Sequence, residues 1–259
     1  MFKERIAKIY RYRLTLWDMT IKQFKAKYSG SLLGVWWAVF APLILAASIN
    51  FIFTKVFTIN MPHYTLFVLS GIMPWLFFSN TLMEAVHSFI VNASISKQVI
   101  FPRELIPLSC VLANFLNFSL GFLFILFLFV ILKFQVAKVL IFLIFPMALQ
   151  LLFVIGLSLV LSCWNAFYRD VSNFLSIFLM IWFWITPIFY SSSMLAFPYR
   201  WICLVNPMTY YVMSYQQILF EAKIPSFSIL FISFLFSFLF LTVGYLSFLK
   251  IESGLLKRI

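Results

Sequence analysis

Six long apolar stretches, separated by short polar connections, dominate the pattern of the chain. They are Leu32–Phe53, Tyr64–Val86, Leu108–Leu132, Val139–Ser162, Val171–Tyr190 and Phe227–Leu249. A helix of about 20 mostly apolar residues is long enough to cross about 30 Å of hydrocarbon. A membrane β-barrel would show short alternating segments instead. The pattern therefore predicts an all-α integral membrane protein with six transmembrane helices.

The segment before the first apolar stretch has helical periodicity. Its apolar residues recur at steps of three and four, which places them on one helix face: Leu14, Trp17, Ile21, Phe24 and Tyr28. Such a helix can lie in the plane of the lipid headgroups; a simple positively charged anchor is the alternative. We divide the single domain, residues 1–259, into an amphipathic arm (1–30), a six-span bundle (32–249) and a tail (250–259).

The connection between the second and third stretches combines polar residues with an apolar repeat. Val91, Ile95 and Val99 follow helical spacing, and Pro102 disfavours helical backbone at Phe101. The pattern predicts a short helix on the membrane surface, shaped to dock into a partner. A solvated loop is the alternative, but it would not require the apolar repeat.

The connection over residues 191–225 is long and rich in aromatic residues and proline. Aromatic side chains prefer the membrane interface. Non-helical backbone at membrane depth is tolerated where it is buried in protein or lines a cavity. We therefore expect short re-entrant helices here, with an interfacial loop as the alternative.

Composition and charge exclude a soluble protein and orient the spans. Hydrophobic residues make up 64% of the 259 residues and charged residues 10%, whereas soluble domains carry about 25% charged residues. The net charge is +12, and eight of the nineteen Lys and Arg precede Tyr28, which favours contact with an anionic membrane surface over nucleic acid. With both termini in the cytoplasm, fourteen of these basic residues lie inside and five outside, as the positive-inside rule requires.

Several kinds of chemistry lack their sequence signatures. None of the seven glycines is followed by Lys, so the phosphate-binding loop of an ATPase is not encoded. Glu84 and His87 form an E-x-x-H spacing without the further carboxylates of a di-metal site, which favours a capping or interface role. Gly30 and Gly34 match a helix-packing motif at the start of a span, where a bend is the equal alternative.

Four motifs resemble the permease subunits of ABC transporters that export polysaccharides, in the type-2 exporter superfamily of O-antigen and teichoic acid exporters. They are Phe24–Trp37 (FKAKYSGSLLGVWW) with Pro42, Phe101–Pro107 (FPRELIP), Tyr168–Val171 (YRDV) and Asn206–Tyr210 (NPMTY). The spacing of these motifs agrees with the family along essentially the whole chain.

The resemblance implies a homodimer of six-helix subunits in the bacterial cytoplasmic (inner) membrane, bound to two separate ATPase subunits. The chain itself would be no enzyme and would hold no cofactor, because the partner binds ATP and Mg. The arm becomes an interface helix, the inner connection a coupling helix and the outer connection a set of gate helices. The cargo would be a lipid-linked polysaccharide, such as an O antigen on undecaprenyl pyrophosphate in lipopolysaccharide biosynthesis.

The resemblance also suggests roles for individual residues. Coupling to the ATPase would involve Ala93, Ile95, Lys97, Val99, Phe101, Pro102, Arg103 and Glu104. The substrate entrance, where a pyrophosphate needs cations, would involve Lys25, Lys27, Tyr28 and Arg103. The glycan channel would be lined by Trp36, Phe178, Trp182 and Phe189, the last three expected on one helical face of the fifth span together with Phe174. The outer gate would contain Pro198, Asn206, Pro207 and Tyr210.

Other functions remain open at this point. A type-2 exporter for a drug or a lipid would keep the same topology without needing an aromatic pore. A membrane-embedded enzyme would need a group of His and acidic residues, and the sequence shows no such group within its apolar stretches. Contact with lipid is an alternative role for each aromatic residue of the proposed channel, because the chain contains 35 Phe.

Overall fold

The structure, a computed structural model, describes residues 2–56, 61–93, 101–191 and 200–255. All regular secondary structure in these ranges is helical. The α-helices are α1 (Phe2–Arg11), α2 (Arg13–Ala26), α3 (Trp37–Phe51), α4 (Tyr64–Ala85), α5 (Ser88–Val91), α6 (Leu105–Leu132), α7 (Ile144–Phe167), α8 (Val171–Ile185), α9 (Arg200–Val205), α10 (Pro207–Leu219) and α11 (Phe227–Leu255). Shorter 3₁₀ or π segments cover Gly34–Trp36, Ile52–Val56, Phe134–Lys138 and Leu140–Leu143.

Five helical segments among the described residues are long and apolar enough to cross a membrane. They are Gly34–Val56, Tyr64–Ala85, Leu105–Leu132, Leu140–Phe167 and Phe227–Glu252. Each overlaps one of the apolar stretches predicted as spans. The all-α class and a multi-pass membrane protein are therefore confirmed.

The predicted fifth span, Val171–Tyr190, is shorter as a helix than the sequence indicated. Helix α8 ends at Ile185, because Pro187 favours extended backbone at the preceding Thr186, which has ψ 133°. Its 15 residues extend about 22 Å, less than the hydrocarbon thickness. Phe189 lies beyond the end of α8, so the prediction that it shares a helical face with Phe178 and Trp182 is wrong.

Helix α4 forms the centre of the bundle. In the most apolar 18-residue stretch of α4, 78% of the residues are buried. The corresponding stretches of the other four long segments have 17% to 33% of their residues buried. Its flanks contact α3, α6, α7 and α10. The other long helices thus surround α4 and expose apolar side chains outward, as lipid-facing helices do.

Helix α10 is a short helix buried inside the bundle. Asn206 caps it by accepting a hydrogen bond from the Met208 backbone N–H (2.9 Å), and Pro207 occupies the first turn. Gln216 Nε2 donates to the Pro187 carbonyl (2.9 Å), and the Tyr215 hydroxyl donates to Gln150 Oε1 (3.1 Å). Part of the predicted outer connection is thus a packed core helix rather than an interfacial loop.

Two glycines allow α7 and α11 to pack with their backbones in contact. A Cβ atom at Gly156 would lie 2.6 Å from the Leu241 nitrogen, and one at Gly244 would lie 2.8 Å from Gly156 Cα. No real Cβ atom approaches a neighbour this closely, so both positions require glycine in this arrangement. Close approach at small residues is the usual basis of helix association in lipid.

The glycines of the Gly30–Gly34 motif have a different role. Both have positive φ (76° and 51°), and a Cβ atom at either would meet nothing within 4 Å. Left-handed backbone favours glycine, since it carries no side chain to clash. The motif therefore forms a bend between the arm and the first long segment, and neither glycine marks a close approach of two helices.

The arm, α1 and α2, packs on the bundle through a partly polar face. Thr20 is fully buried, and Gln23 Nε2 donates to Ser109 Oγ on α6 (2.9 Å). On the opposite side Leu14 and Trp17 are 70% and 53% exposed. The start of the apolar stripe predicted from the sequence thus points away from the bundle, where it is available to lipid, whereas Tyr28 at its end contacts Asn117 on α6.

Candidate coupling region and substrate entrance

The structure describes only the two ends of the connection between the second and third long segments, up to Ala93 and from Phe101 onward. Helix α5 ends at Val91, whose side chain is 75% exposed, and Ala93 is the last described residue before the gap. Ile95, Lys97 and Val99 lie outside the described residues. Their assignment to a coupling helix stays a prediction.

The residues that follow the gap lie inside the subunit. Phe101 packs in a cluster with Phe89, Leu105 and Phe248, and Pro102 is also buried. Glu104 is only 2% exposed. Sequence reasoning placed these motif residues on the surface that meets the ATPase. The structure places Phe101, Pro102 and Glu104 inside the subunit, where Phe101 packs on Leu105 of α6 and Phe248 of α11, and their role in coupling stays a prediction.

Three charged residues hold this region together, and we call them the Arg5 clasp: Arg5, Glu104 and Glu252. The Arg5 guanidinium lies 2.9 Å from Glu104 Oε1 and 2.5 Å from Glu252 Oε2. The hydrogen bond that Arg5 donates to Glu252 is the main cause of a raised pKa at Arg5, with Glu104 adding to it. Arg103 Nη1 donates to the Glu252 backbone carbonyl (3.2 Å).

Lys27, predicted at the substrate entrance, is part of a polar group between the arm and the bundle. Its Nζ lies 2.5 and 2.7 Å from the two Glu84 carboxylate oxygens and 2.8 Å from Asn114 Oδ1. An ammonium group has three N–H donors, so these contacts account for all of them. Asn114 Nδ2 in turn donates to Glu84 Oε2 (2.8 Å).

Tyr28 extends this polar group by one residue along the arm. Its hydroxyl donates to Asn117 Oδ1, three residues after Asn114 on the same face of α6. Burial raises the pKa of Tyr28, and the Glu84 charge raises it further. The structure thus joins Lys27 and Tyr28 to Glu84, Asn114 and Asn117.

The sequence analysis missed Asn114 and Asn117 as partners of the arm. Their i, i+3 spacing within an otherwise apolar stretch is the signal that could have revealed them. Glu84 pairs with Lys27, whereas His87 Nδ1 lies 3.5 Å from Asn165 Nδ2. The E-x-x-H pair is therefore used in separate interhelical contacts, in agreement with the interface role.

Two cavities adjoin the Lys27–Asn114 hydrogen bond. One, of about 120 Å³, lies between α3, α4 and α6 and is lined by Trp37, Phe77, Asn80, Asn114 and Asn117 among others. The other, of about 490 Å³, includes Lys27, Glu84 and His87 in its lining. Members of the polar group therefore line two spaces that differ in size.

The other cationic candidates differ in availability. Lys25 is exposed on the arm. Arg103 is half-buried and donates to the Glu252 backbone carbonyl. The structure therefore groups Lys27 with Tyr28 but does not bring Arg103 into contact with them among the described residues.

The predicted channel residues fall into two kinds of environment. Trp36 and Phe178 are 53% and 54% exposed, and Trp36 packs on Phe124 with ring centroids 5.2 Å apart. Trp182 packs edge-on against Phe78 (5.0 Å), and Phe189 is 5% exposed. Trp36 and Phe178 are thus free to face lipid or cargo, whereas Trp182 and Phe189 stabilise the core of the subunit.

The predicted gate residues connect α8 to α10. Asn206 Oδ1 accepts a hydrogen bond from Trp182 Nε1 (2.5 Å), and its Nδ2 donates to Thr186 Oγ1 (2.9 Å). Tyr210 donates to the Leu204 carbonyl (2.6 Å) and so closes the turn before α10. Pro198 lies outside the described residues. Trp182 and Asn206, assigned to different sites from the sequence, therefore form one contact.

Comparison with known proteins identifies the family of the chain. The family model described as ABC-2 type transporter matches residues 15–220. The chain is 34% identical over 238 residues, 90% of each chain, to an O-antigen export system permease protein RfbA of Klebsiella pneumoniae. It is 35% identical over 202 residues to another protein of that name and organism, covering 77% of this chain and 78% of the relative. A Myxococcus xanthus protein of that name is 28% identical over 223 residues, 85% of each chain. The chain belongs to the ABC-2 type transporter family, as a multi-pass permease subunit.

Proposed function

We propose that this permease exports a lipid-linked polysaccharide, an O antigen or a related glycan on undecaprenyl pyrophosphate, across the bacterial cytoplasmic membrane. The observation that carries the proposal is the 34% identity to an O-antigen export permease over 90% of both chains. A match over 90% of both chains favours a common cargo class over a shared fold alone.

The energy for export comes from a separate ATPase subunit. No ATP-binding loop occurs in the sequence. We assign residues 93–100 to the surface that seats in the ATPase, since Val91 at its start is apolar and 75% exposed. Two permease chains and two ATPase subunits form the complete exporter in this proposal.

Exposed apolar side chains on the outward faces of α3 and α8 support the proposal that a second permease chain or the cargo binds there. Phe40 and Ile44 on α3 are 40% and 59% exposed, and Phe174 and Ile181 on α8 are 72% and 51% exposed. Such faces are covered by lipid, by a second copy or by the cargo. In the proposed homodimer, the exposed Trp36 and Phe178 of each chain line the path of the glycan, where sugar rings can stack on them.

At the entrance, the lipid pyrophosphate would meet the cations of the arm. Exposed Lys25 is available at once, whereas Lys27 has its three donors engaged with Glu84 and Asn114. A diphosphate binds Lys through charge-assisted hydrogen bonds, so it would have to compete with the Glu84 carboxylate for Lys27. We assign initial capture to Lys25 and a later contact to Lys27.

Both termini are cytoplasmic in this proposal, and six segments cross the membrane, including α8 with its following turn. The positive-inside bias supports the orientation, and the Arg5 clasp supports it by joining both ends of the chain on one side of the bundle. In a cysteine-free background, single cysteines at exposed Lys8 and Arg169 should react with an impermeant maleimide only from the cytoplasm. Cysteines at exposed Lys138 and Lys223 should react only from outside. A reaction from the opposite side at any of the four would refute the orientation.

Cargo identity is tested by transfer into inverted membrane vesicles that contain the permease and its ATPase. We expect ATP to move lipid-linked glycan from the outer face to the lumen, where it is protected from an added glycosidase. Protection of other lipids or of drugs, without protection of the glycan, would contradict the cargo assignment.

A further inference from the structure

The Arg5 clasp joins three elements that lie far apart in the chain. The Arg5 side chain on α1 contacts Glu104, 99 residues away at the start of α6, and Glu252, 247 residues away near the end of α11. Glu104 lies shortly after residues 93–100, which are assigned to the ATPase contact, and occupies the cap position of α6. The clasp therefore lies where the inner connection enters the bundle.

Burial makes these ion pairs more consequential than pairs on an open surface. Glu104 is 2% exposed, Glu252 is 18% exposed and Arg5 is 31% exposed. The planar guanidinium of Arg can serve two carboxylates at once through its several donors. Without it, a buried carboxylate would remain next to a second carboxylate, and the two would repel each other.

Apolar packing around the clasp links the same three elements. Ile9 and Tyr12 from the arm pack against the cluster that contains Phe101 and Phe248. Helix α11 then contacts α7 through the close approach at Gly156 and Gly244. A displacement at the coupling region thus has a continuous packed route to the arm and to α7.

We propose that Arg5 is a positioning residue that makes the end of the coupling region, the arm and α11 move as one body when the ATPase acts. This role rests on the proposed ATP-driven function. Arg5 touches neither the cargo nor ATP. It acts by holding Glu104 and Glu252 in fixed positions relative to α1.

Hydrogen exchange in the purified permease in lipid nanodiscs tests the clasp independently of any cargo. In Arg5→Met we expect amide exchange to accelerate about tenfold in residues 101–106 and in 248–252 together, because local opening becomes easier in both. Arg5→Lys should restore part of the protection. Arg13→Met is the matched control, since exposed Arg13 contacts only Tyr10, through its carbonyl (3.4 Å) and its ring, in the described contacts.

Faster exchange confined to α1, or equal acceleration in Arg13→Met, would refute the clasp.

A second measurement concerns coupling in vesicles with the ATPase bound. We expect Arg5→Met to keep ATP hydrolysis within about twofold while glycan moved per ATP falls at least about fivefold, and Arg5→Lys to recover part of that ratio. Equal loss of hydrolysis and transport would show a merely structural role. If the cargo assignment is wrong, the wild-type complex already moves no glycan, whereas failure of the clasp shows only in the Arg5 variants.

Discussion

Replacement of Gly156 by valine should abolish most of the folded permease. A Cβ atom there would lie 2.6 Å from the Leu241 nitrogen, and the obstructing atoms belong to the α11 backbone. Rotamer changes cannot relieve such a contact, so α7 and α11 have to separate. Overpacking costs about 1–3 kcal/mol when side chains can adjust, and we expect a cost at or above the top of this range.

The measurement is the yield of monodisperse protein after extraction, together with its thermal unfolding midpoint. Ala148→Val is the control, because Ala148 lies on the same helix and is exposed. We expect the control to match the wild type within a few degrees. A Gly156→Val variant with unchanged yield and midpoint would mean that α7 and α11 do not pack as described.

Replacement of Ile95 by aspartate should abolish export by releasing the ATPase. The Val91–Ile95–Val99 repeat predicts that Ile95 fills an apolar pocket of the partner. A buried apolar anchor usually carries more of an interface than the charges at its rim. An ionised aspartate in that pocket would cost several kcal/mol. We expect the permease to remain in the membrane and to lose co-purifying ATPase.

Lys138→Asp is the control for this prediction. Lys138 is exposed at the end of the predicted extracellular connection after α6, so its charge reversal should leave assembly and export unchanged. Normal export by Ile95→Asp would show that residues 93–100 do not seat in the ATPase. Loss of export in Lys138→Asp alone would also contradict the proposed orientation of the chain.

Hydropathy predicted the long helices well because lipid requires a continuous apolar run from each of them. Hydropathy overestimated the length of α8 for a different reason. Pro187 interrupts the fifth stretch, but an average over apolar residues does not register the loss of helical backbone at Thr186. Local backbone chemistry, visible in the sequence, overrode composition there.

Helix α10 was harder to predict because its buried face is partly polar. Tyr211 hydrogen-bonds with Ser237 Oγ (2.7 Å), and Tyr215 donates to Gln150. These partners come from distant helices, and only their pairing makes burial of the hydroxyl groups tolerable. A single sequence shows the tyrosines but not their partners. The sequence therefore predicted short re-entrant gate helices here, with an interfacial loop as the alternative.

For the candidate site, too, the sequence identified residues but not their contacts. The motifs identified Lys27, Tyr28, Glu104 and Asn206 as important, but they did not reveal what each contacts. Glu104 had been expected on the docking surface, yet it is buried against Arg5. Contacts that span a large part of the chain depend on helix packing, which local patterns do not determine.

Transfer of lipid-linked glycan into inverted vesicles tests the central claim most directly. With permease, ATPase subunit, ATP and Mg present, we predict that protected glycan accumulates in the lumen. Permease alone should neither hydrolyse ATP nor transfer glycan, and a non-hydrolysable ATP analogue should not support accumulation. Accumulation that needs neither ATP nor the ATPase subunit, or none in a complex that hydrolyses ATP, would contradict the assignment of this chain to ATP-driven glycan export.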